Sequence, residues 1–268
     1  MPTTDRYTHG HHESVLRSHQ WRTVENSATF LLPHLTSDLA VLDVGCGPGT
    51  VTLDLARIVS SGHVTGVDIA SEVIDVARTF QRDCGVANVT FGVADVYGLA
   101  FEDESFDVVY AHQVTQHLCD PVAALGEMRR VLRAGGLLAV RDSDYGAFTW
   151  SPDDERLDRW MDVYQRLTRR NHVDANAGRH LSGWVRQAGF SSLAVSSSNW
   201  TFATPEERLW WGQIWADRVR ESEFARQSVE YQLTTRPELD EMAAAFLTWA
   251  NDVDGFFNVV NVEVLARP

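Results

Sequence analysis

From Ala40 onward, short apolar runs alternate with amphipathic stretches. "AVLDV", "HVTGVDI", "NVTFGVA", "FDVVYA" and "LLAVRD" each carry the continuous or near-continuous apolar pattern of a buried strand. Between the first two, Val51, Leu55, Ile58 and Val59 recur at helical spacing and Gly62 stops the run. Ser71 is placed to cap "SEVIDVARTFQRDCG", with Glu72 at the positive end of the helix dipole and Gly85 at the exit. Asp120-Pro121 opens a further helix with a cap and a first-turn proline, and "RAGG" closes it. The pattern predicts five strand-to-helix units over Ala40 to Asp142, hence an α/β fold with a mostly parallel sheet and helices on both faces. Downstream, "GRHLSGWVRQAGF" reads as a helix, and "SLAVSSSNWTF" and "FFNVVNVEVLA" as strands. Residues 205–254 lie between those strands, too many for a loop, and predict two or three helices.

Charge narrows the partners. Thirty-seven acidic against twenty-three basic side chains leave the 268 residues at a formal −14, which repels phosphate backbones and anionic membrane surfaces and speaks against a nucleic-acid partner. Cys46, Cys84 and Cys119 are isolated and odd in number, as expected of a reducing compartment. With no apolar leader pattern and no run of about eighteen apolar residues, the expectation is a cytoplasmic protein without a membrane span.

The turn "VLDVGCGPGT" carries the first chemistry. Gly45, Gly47 and Gly49 permit positive φ and close approach of a ligand, but say nothing of its charge. Asp43, two residues before the first glycine, does: a carboxylate is unfavourable beside a pyrophosphate and favourable beside an ammonium. Thr50 stands where a dinucleotide-binding turn wants glycine. Asp68 ends the second strand, where a carboxylate can accept both ribose hydroxyls, and Asp95 ends the third, where an adenine edge would lie. Any one of these aspartates could be a turn or cap residue; three at successive strand ends form a ligand edge.

Together "VLDVGCGPGT", "VTGVDIA", "VADVYGLAFEDESFDVVYAHQVTQHLCDP" and "MRRVLRAGGLLAVRD" resemble the successive motifs of class I S-adenosylmethionine-dependent methyltransferases, nearest in style to the ubiquinone- and menaquinone-biosynthesis type. The resemblance implies a Rossmann-like seven-stranded sheet with one antiparallel strand. It implies that Gly45, Cys46, Gly47 and Gly49 wrap the methionyl part near Asp43, that Asp68 holds the ribose and Ile69 packs on the adenine, and that Ala94, Asp95 and Val96 meet its edge. Residues 1–268 are then one domain: an N-terminal helical cover over 1–32, a cofactor-binding core over 40–142 and a helical insertion over 205–254.

"AHQVTQH" follows the fourth strand, where the transferable methyl group would face. His112 and His117 are candidate general bases there. Structural roles are the alternative: His117 packed beside Leu118 and Pro121, and His112 or Gln113 only touching the cofactor. Their five-residue separation does not match a metal-binding helix pair, and no metal site is expected. Asp142, Asp144, Tyr145 and Trp150 are candidates for an acceptor pocket. His9, His11, His12 and His19 read as a polar lid or solvated segment, and Trp210, Trp211, Trp215 and Trp249 pack helices or line a pocket. The expected activity is methyl transfer from S-adenosylmethionine to a small-molecule acceptor. The alternatives are an NAD(P)-binding oxidoreductase and a non-catalytic S-adenosylmethionine-binding protein.

Overall fold

Period-two alternation along the central strands sorts side chains onto the two faces of one sheet. In the computed structural model, which describes residue 8 and residues 13–268, Val41, Tyr110 and Ala139 face one side, and Leu42, Val109 and Leu138 the other. The elements in chain order are α1 (Glu13–Gln20), α2 (Val24–Ser27), β1 (Ala40–Val44), α3 (Thr50–Ile58), β2 (His63–Asp68), α4 (Ser71–Cys84), β3 (Val89–Val93), β4 (Phe106–His112), α5 (Pro121–Val131), β5 (Leu132–Ser143), β6 (Thr149–Ser151), α6 (Glu155–Arg170), α7 (Ala177–Gln187), β7 (Ser192–Phe202), α8 (Pro205–Glu221), α9 (Glu223–Glu230), α10 (Arg236–Asn251) and β8 (Phe256–Arg267). The helices α3 and α4 cover the first face, α5 and α7 the second.

Strand order is β3-β2-β1-β4-β5-β8, with β7 beyond β8. The strands β3 to β5 pair in parallel, whereas β8 pairs antiparallel with both β5 and β7. The expected seven strands with one reversed are therefore present. An eighth, β6, pairs residues 149–151 with 256–258 of β8 and continues the edge that β5 leaves. No helix among the described residues is long and apolar enough to cross a membrane.

Several expectations need correction. No α-helix joins β3 to β4: Gly98 N donates to Asp95 O, and residues 94–105 run as turns because they offer no apolar helical face. Five strand-to-helix units thus overcount. Ser71 is the first helical residue rather than the cap, which is Ala70, its N–H bonded to the Asp68 side chain. "RAGG" belongs to the irregular start of β5, where the register shifts between Phe106 and Val108. The helix α6 was not anticipated. Gly85 does end α4, at φ +65°. The expected cover over 1–32 falls partly outside the described residues, as do His9, His11 and His12.

The three helices over residues 205–254 join α6 against the lower half of β8. Trp160, Tyr164, Trp211, Trp215, Phe224, Phe246 and Phe257 form an aromatic core there, apart from the two sheet-face cores. Trp249 is also buried in it, and its indole N–H donates to Ser151 O and Phe256 O. Gly212 lets α8 approach α10: a Cβ there would lie 2.6 Å from Ala250 Cβ and 2.8 Å from Phe246 O.

Gly212→Ala gains about 1 kcal/mol of helix preference but overpacks a backbone contact, which costs about 1–3 kcal/mol. The expected outcome is a net loss of stability in urea unfolding. A more stable variant would mean that α8 and α10 are not this close.

Candidate functional site

The turn after β1 is built by backbone hydrogen bonds. Gly45 N and Cys46 N both donate to Val67 O, at 2.8 and 2.9 Å, and Gly47 N donates to Asp68 Oδ2 at 3.0 Å. Asp68 Oδ1 accepts from Ala70 N at 3.1 Å, so one carboxylate ties the first turn to the start of α4. Gly45 and Gly47 adopt φ of +69° and +55°, and a Cβ on Gly45 would strike Val114 Cγ2 at 2.4 Å.

This turn forms one wall of a crevice of about 900 Å³ across the carboxyl ends of β1 to β4. Asp43, Gly45, Cys46, Gly47, Asp68, Ile69, Ala94, Asp95, Val96, His112, Gln113 and His117 all line it. Gly49 does not: its Cα faces Phe91 and Ala77, and an added Cβ would meet Phe91 Cζ at 2.7 Å. Its role is close packing of α3 on the sheet, with φ of +83° at the helix cap.

Asp43 is buried and accepts from Thr52 Oγ1 at 2.6 Å; burial pushes its carboxyl up to about 7 despite that bond. Burial likewise raises the Cys46 thiol, with Asp43 and Asp68 adding to it. Asp95, exposed at the far end, accepts from Tyr97 N at 3.0 Å. Ile69 is 67% exposed, an apolar side chain presented to the crevice.

A second, smaller cavity of about 30 Å³ adjoins the first. His19, Arg22, Gln113 and His117 line both. Its other walls come from Trp21, Gln116, Ser143, Tyr145, Trp200, Trp211, Trp215 and Arg218, among others. Gln113, at φ +54°, is pinned between the cavities: Arg22 donates to its Oε1 at 2.5 Å, and its Nε2 donates to Ser143 Oγ at 2.6 Å.

The two histidines differ in placement. His112 ends β4 between Tyr110 and Trp200 and lines only the larger crevice; burial, then the charge of Arg141 beside it, holds its pKa well below the usual value. His117 stands at the junction, in a short 3₁₀ turn after β4, with its pKa lowered to about 3 by burial and then by Arg22 and Arg218. Both are neutral at pH 7.

Of the residues expected in an acceptor pocket, only Tyr145 lines the small cavity. Asp142 is buried beneath Thr115, whose N and Oγ1 donate to Oδ2, and burial raises its carboxyl to about 7. Asp144 is held by Arg179 at 2.5 Å, and Trp150 stacks on Phe257 in the helical core. Of the insertion's tryptophans, Trp211 and Trp215 serve both as core and as wall. Arg22, Trp200 and Arg218 were not anticipated. One signal was readable: Trp211, Trp215 and Arg218 recur at i, i+4 and i+7, which sets an arginine on the apolar face of α8.

The segment before β1 closes the small cavity on one side. Arg17 pairs with Asp217 of α8 at 2.5 Å, and Arg218 donates to Ser18 Oγ at 2.8 Å. The stretch after α1 is tied to the sheet, since Tyr110 donates to Ser27 O and Trp200 Nε1 to Asn26 O.

Comparison with known proteins agrees with this arrangement. The family model described as "Methyltransferase domain" matches residues 35–200. An uncharacterized methyltransferase of Schizosaccharomyces pombe is 30% identical over 270 residues, covering 97% of this chain and 96% of that protein. An O-methyltransferase of Penicillium expansum is 35% identical over 159 residues, 58% of this chain and 53% of its own. Among solved structures, the YcgJ protein of Bacillus subtilis superposes with a TM-score of 0.58 at 18% identity, over 96% of this chain and 98% of that one, a likeness of fold. By family match and strand order, the chain belongs to the methyltransferase domain family and is a class I S-adenosylmethionine-dependent methyltransferase.

Proposed function

We propose that the chain methylates a hydroxyl group of a small molecule, with S-adenosylmethionine along the large crevice and the acceptor in the adjoining cavity. The observation that carries this reading is the shared wall: a single layer of side chains, with His117 and Gln113 at its centre, divides a cofactor-sized crevice from an aromatic chamber. The crevice suits the cofactor's parts in order. Asp43 meets the ammonium, the turn of Gly45, Cys46 and Gly47 lets the methionyl group approach the backbone, and Asp68 keeps a second lone pair on each oxygen for ribose hydroxyls. Ile69 packs on the adenine, with Ala94, Asp95 and Val96 at its edge. A pyrophosphate would meet the carboxylates of Asp43, Asp68 and Asp120 in the same crevice, which disfavours a dinucleotide.

The bound cofactor supplies a sulfonium-activated methyl group. The protein's contribution is to hold the acceptor oxygen in line and exclude water, for which the α1 segment docked on α8 supports a cover role. An oxygen gaining a methyl group becomes far more acidic, so a neutral imidazole can take its proton despite a low pKa. His117 has the position for this, standing between the two cavities, whereas His112 lines the cofactor crevice alone. Relatives named O-methyltransferases support oxygen as the accepting atom. The net charge of −14 supports a small molecule over nucleic acid.

Incubation with S-adenosylmethionine and hydroxylated small molecules should yield a methylated product and S-adenosylhomocysteine; binding of NAD but not S-adenosylhomocysteine in calorimetry would overturn the reading. Asp68→Ala should weaken S-adenosylhomocysteine by about 1.5–3 kcal/mol in a protein that stays folded. A cation beside Asp43 lowers a carboxyl pKa that burial has raised to about 7, so S-adenosylmethionine binding at pH 7 should release up to about half a proton. Calorimetry in buffers of different ionisation heat measures this, and Asp43→Asn should abolish it. His117→Gln should lower kcat about 100-fold while leaving cofactor affinity nearly unchanged. An equal drop in cofactor affinity would instead place His117 in cofactor binding.

A further inference from the structure

Away from the cofactor crevice, we infer that the outer edge of β7 is a self-association surface, on which a second copy of this chain pairs antiparallel and continues the sheet. The strand β7 pairs with β8 alone, residue for residue from Ser192 opposite Arg267 to Phe202 opposite Phe257, without a bulge. The direction of its backbone groups follows from β8. Asp144 N donates to Val260 O, so Val260, Val262, Val264 and Ala266 point toward β5, and the residues between them toward β7. Their partners Ser192, Ala194, Ser196 and Ser198 face β8 in return. Leu193, Val195, Ser197 and Asn199 therefore aim their N–H and C=O groups outward. Those outward groups have no hydrogen-bond partner among the described residues.

The opposite edge of the same sheet is treated differently. There β3 is only five residues long, and α4 caps its outward carbonyls: Gln81 Nε2 donates to Val89 O at 2.9 Å and Arg78 Nη2 to Phe91 O at 3.0 Å. A long edge without caps, proline or charge is a template for another strand. From Ser192 to Phe202 there is no proline and no ionisable side chain, although charged residues make up 22% of the chain. Val195 is 52% exposed on that edge strand.

A second copy is the occupant that this edge matches. The formal −14 repels another copy over the surface at large, so contact is favoured where charge is absent or opposite. Arg186 and Arg267 stand exposed near the Ser192 end, without an ion-pair partner among the described residues, and Glu206 stands exposed just beyond the Phe202 end. An antiparallel two-fold arrangement brings the acidic end of one copy to the basic end of the other. Centred on Ser196, it sets Leu193 opposite Asn199 and Val195 opposite Ser197 of the second copy, and the reverse. The four outward residues of each copy then supply roughly eight main-chain hydrogen bonds, close to the ten or so of a typical interface. The two Val195 side chains meet diagonally across the axis.

The test uses the full chain. Sedimentation equilibrium at rising concentration should show twice the chain mass. In amide exchange followed by NMR, Leu193, Val195, Ser197 and Asn199 should gain protection as the dimer forms, while Ala194, Ser196 and Ser198 are protected throughout. That alternation separates strand pairing from any other dimer contact. Ser197→Pro removes an outward donor, which an edge strand tolerates, and Val195→Lys sets two like charges across the axis. Each should weaken self-association at least about tenfold with unchanged circular dichroism, and the lysine variant keeps the test if the proline variant fails to fold. A monomer at every concentration, a dimer whose outward amides stay unprotected, or a dimer that survives both substitutions would overturn the inference. So would protection independent of concentration, which would mean that the edge is covered within one chain.

Discussion

A buried ion pair holds together the two halves of this protein. Arg141 and Glu263 stand directly opposite each other where parallel β5 meets reversed β8, with Arg141 only 1% exposed. Their contact is 3.3 Å, and Ser196 and Ser198 of β7 also bond Glu263, so three strands converge on one charge pair. Removing one partner of such a pair costs about 3–5 kcal/mol, because the other charge remains buried and uncompensated. Its structural value is register. A slip of one residue along β8 would turn Glu263 to the opposite face and expose Val264, which packs in the sheet-face core.

That register decides where the aromatic chamber forms. β8 passes from the sheet core at Val264 to the helical core at Phe257, coupling two hydrophobic clusters along one strand. Arg141 lies against Trp200, and Trp200 packs on His112 and bonds Asn26 of the N-terminal segment. The crevice thus draws on the parallel strands β1 to β4, while the chamber draws on β5, β7, β8 and α8. The turn after β4, with Gln113 and His117, is the seam between them.

Much of the first half was legible in sequence because its chemistry is local. A strand ending in aspartate and a glycine turn are contiguous patterns, and Asp43, Asp68 and Asp95 do meet at one crevice. Sequence does not separate the three glycines of the turn, although the space beside Gly49 is filled by Phe91 and that beside Gly45 by Val114. The chamber is another matter. Arg22, Trp200 and Arg218 come from three distant segments, and no local period relates them. The helix α6 escaped notice for a different reason: Leu157, Trp160, Val163, Tyr164 and Leu167 have helical spacing, but the arginines and aspartates between them obscure the stripe. The gap between β3 and β4 was filled with a helix by rhythm alone, although Gly98 and the acidic run after it favour turns.

The two cavities also divide charge, and the division fits the reaction's direction. The crevice carries Asp43, Asp68 and Asp95 and would receive a cationic cofactor, whereas among the described residues the chamber lining has Arg22 and Arg218 and no carboxylate. Keeping Asp43 in a buried site is unfavourable when nothing positive is near, as its carboxyl raised to about 7 shows. An ammonium and a sulfonium beside it would offset that cost. Methyl transfer removes the sulfonium charge but leaves the ammonium, so attraction to the crevice weakens only after chemistry. The spent cofactor would thus keep one of the two charges that favour its place beside Asp43.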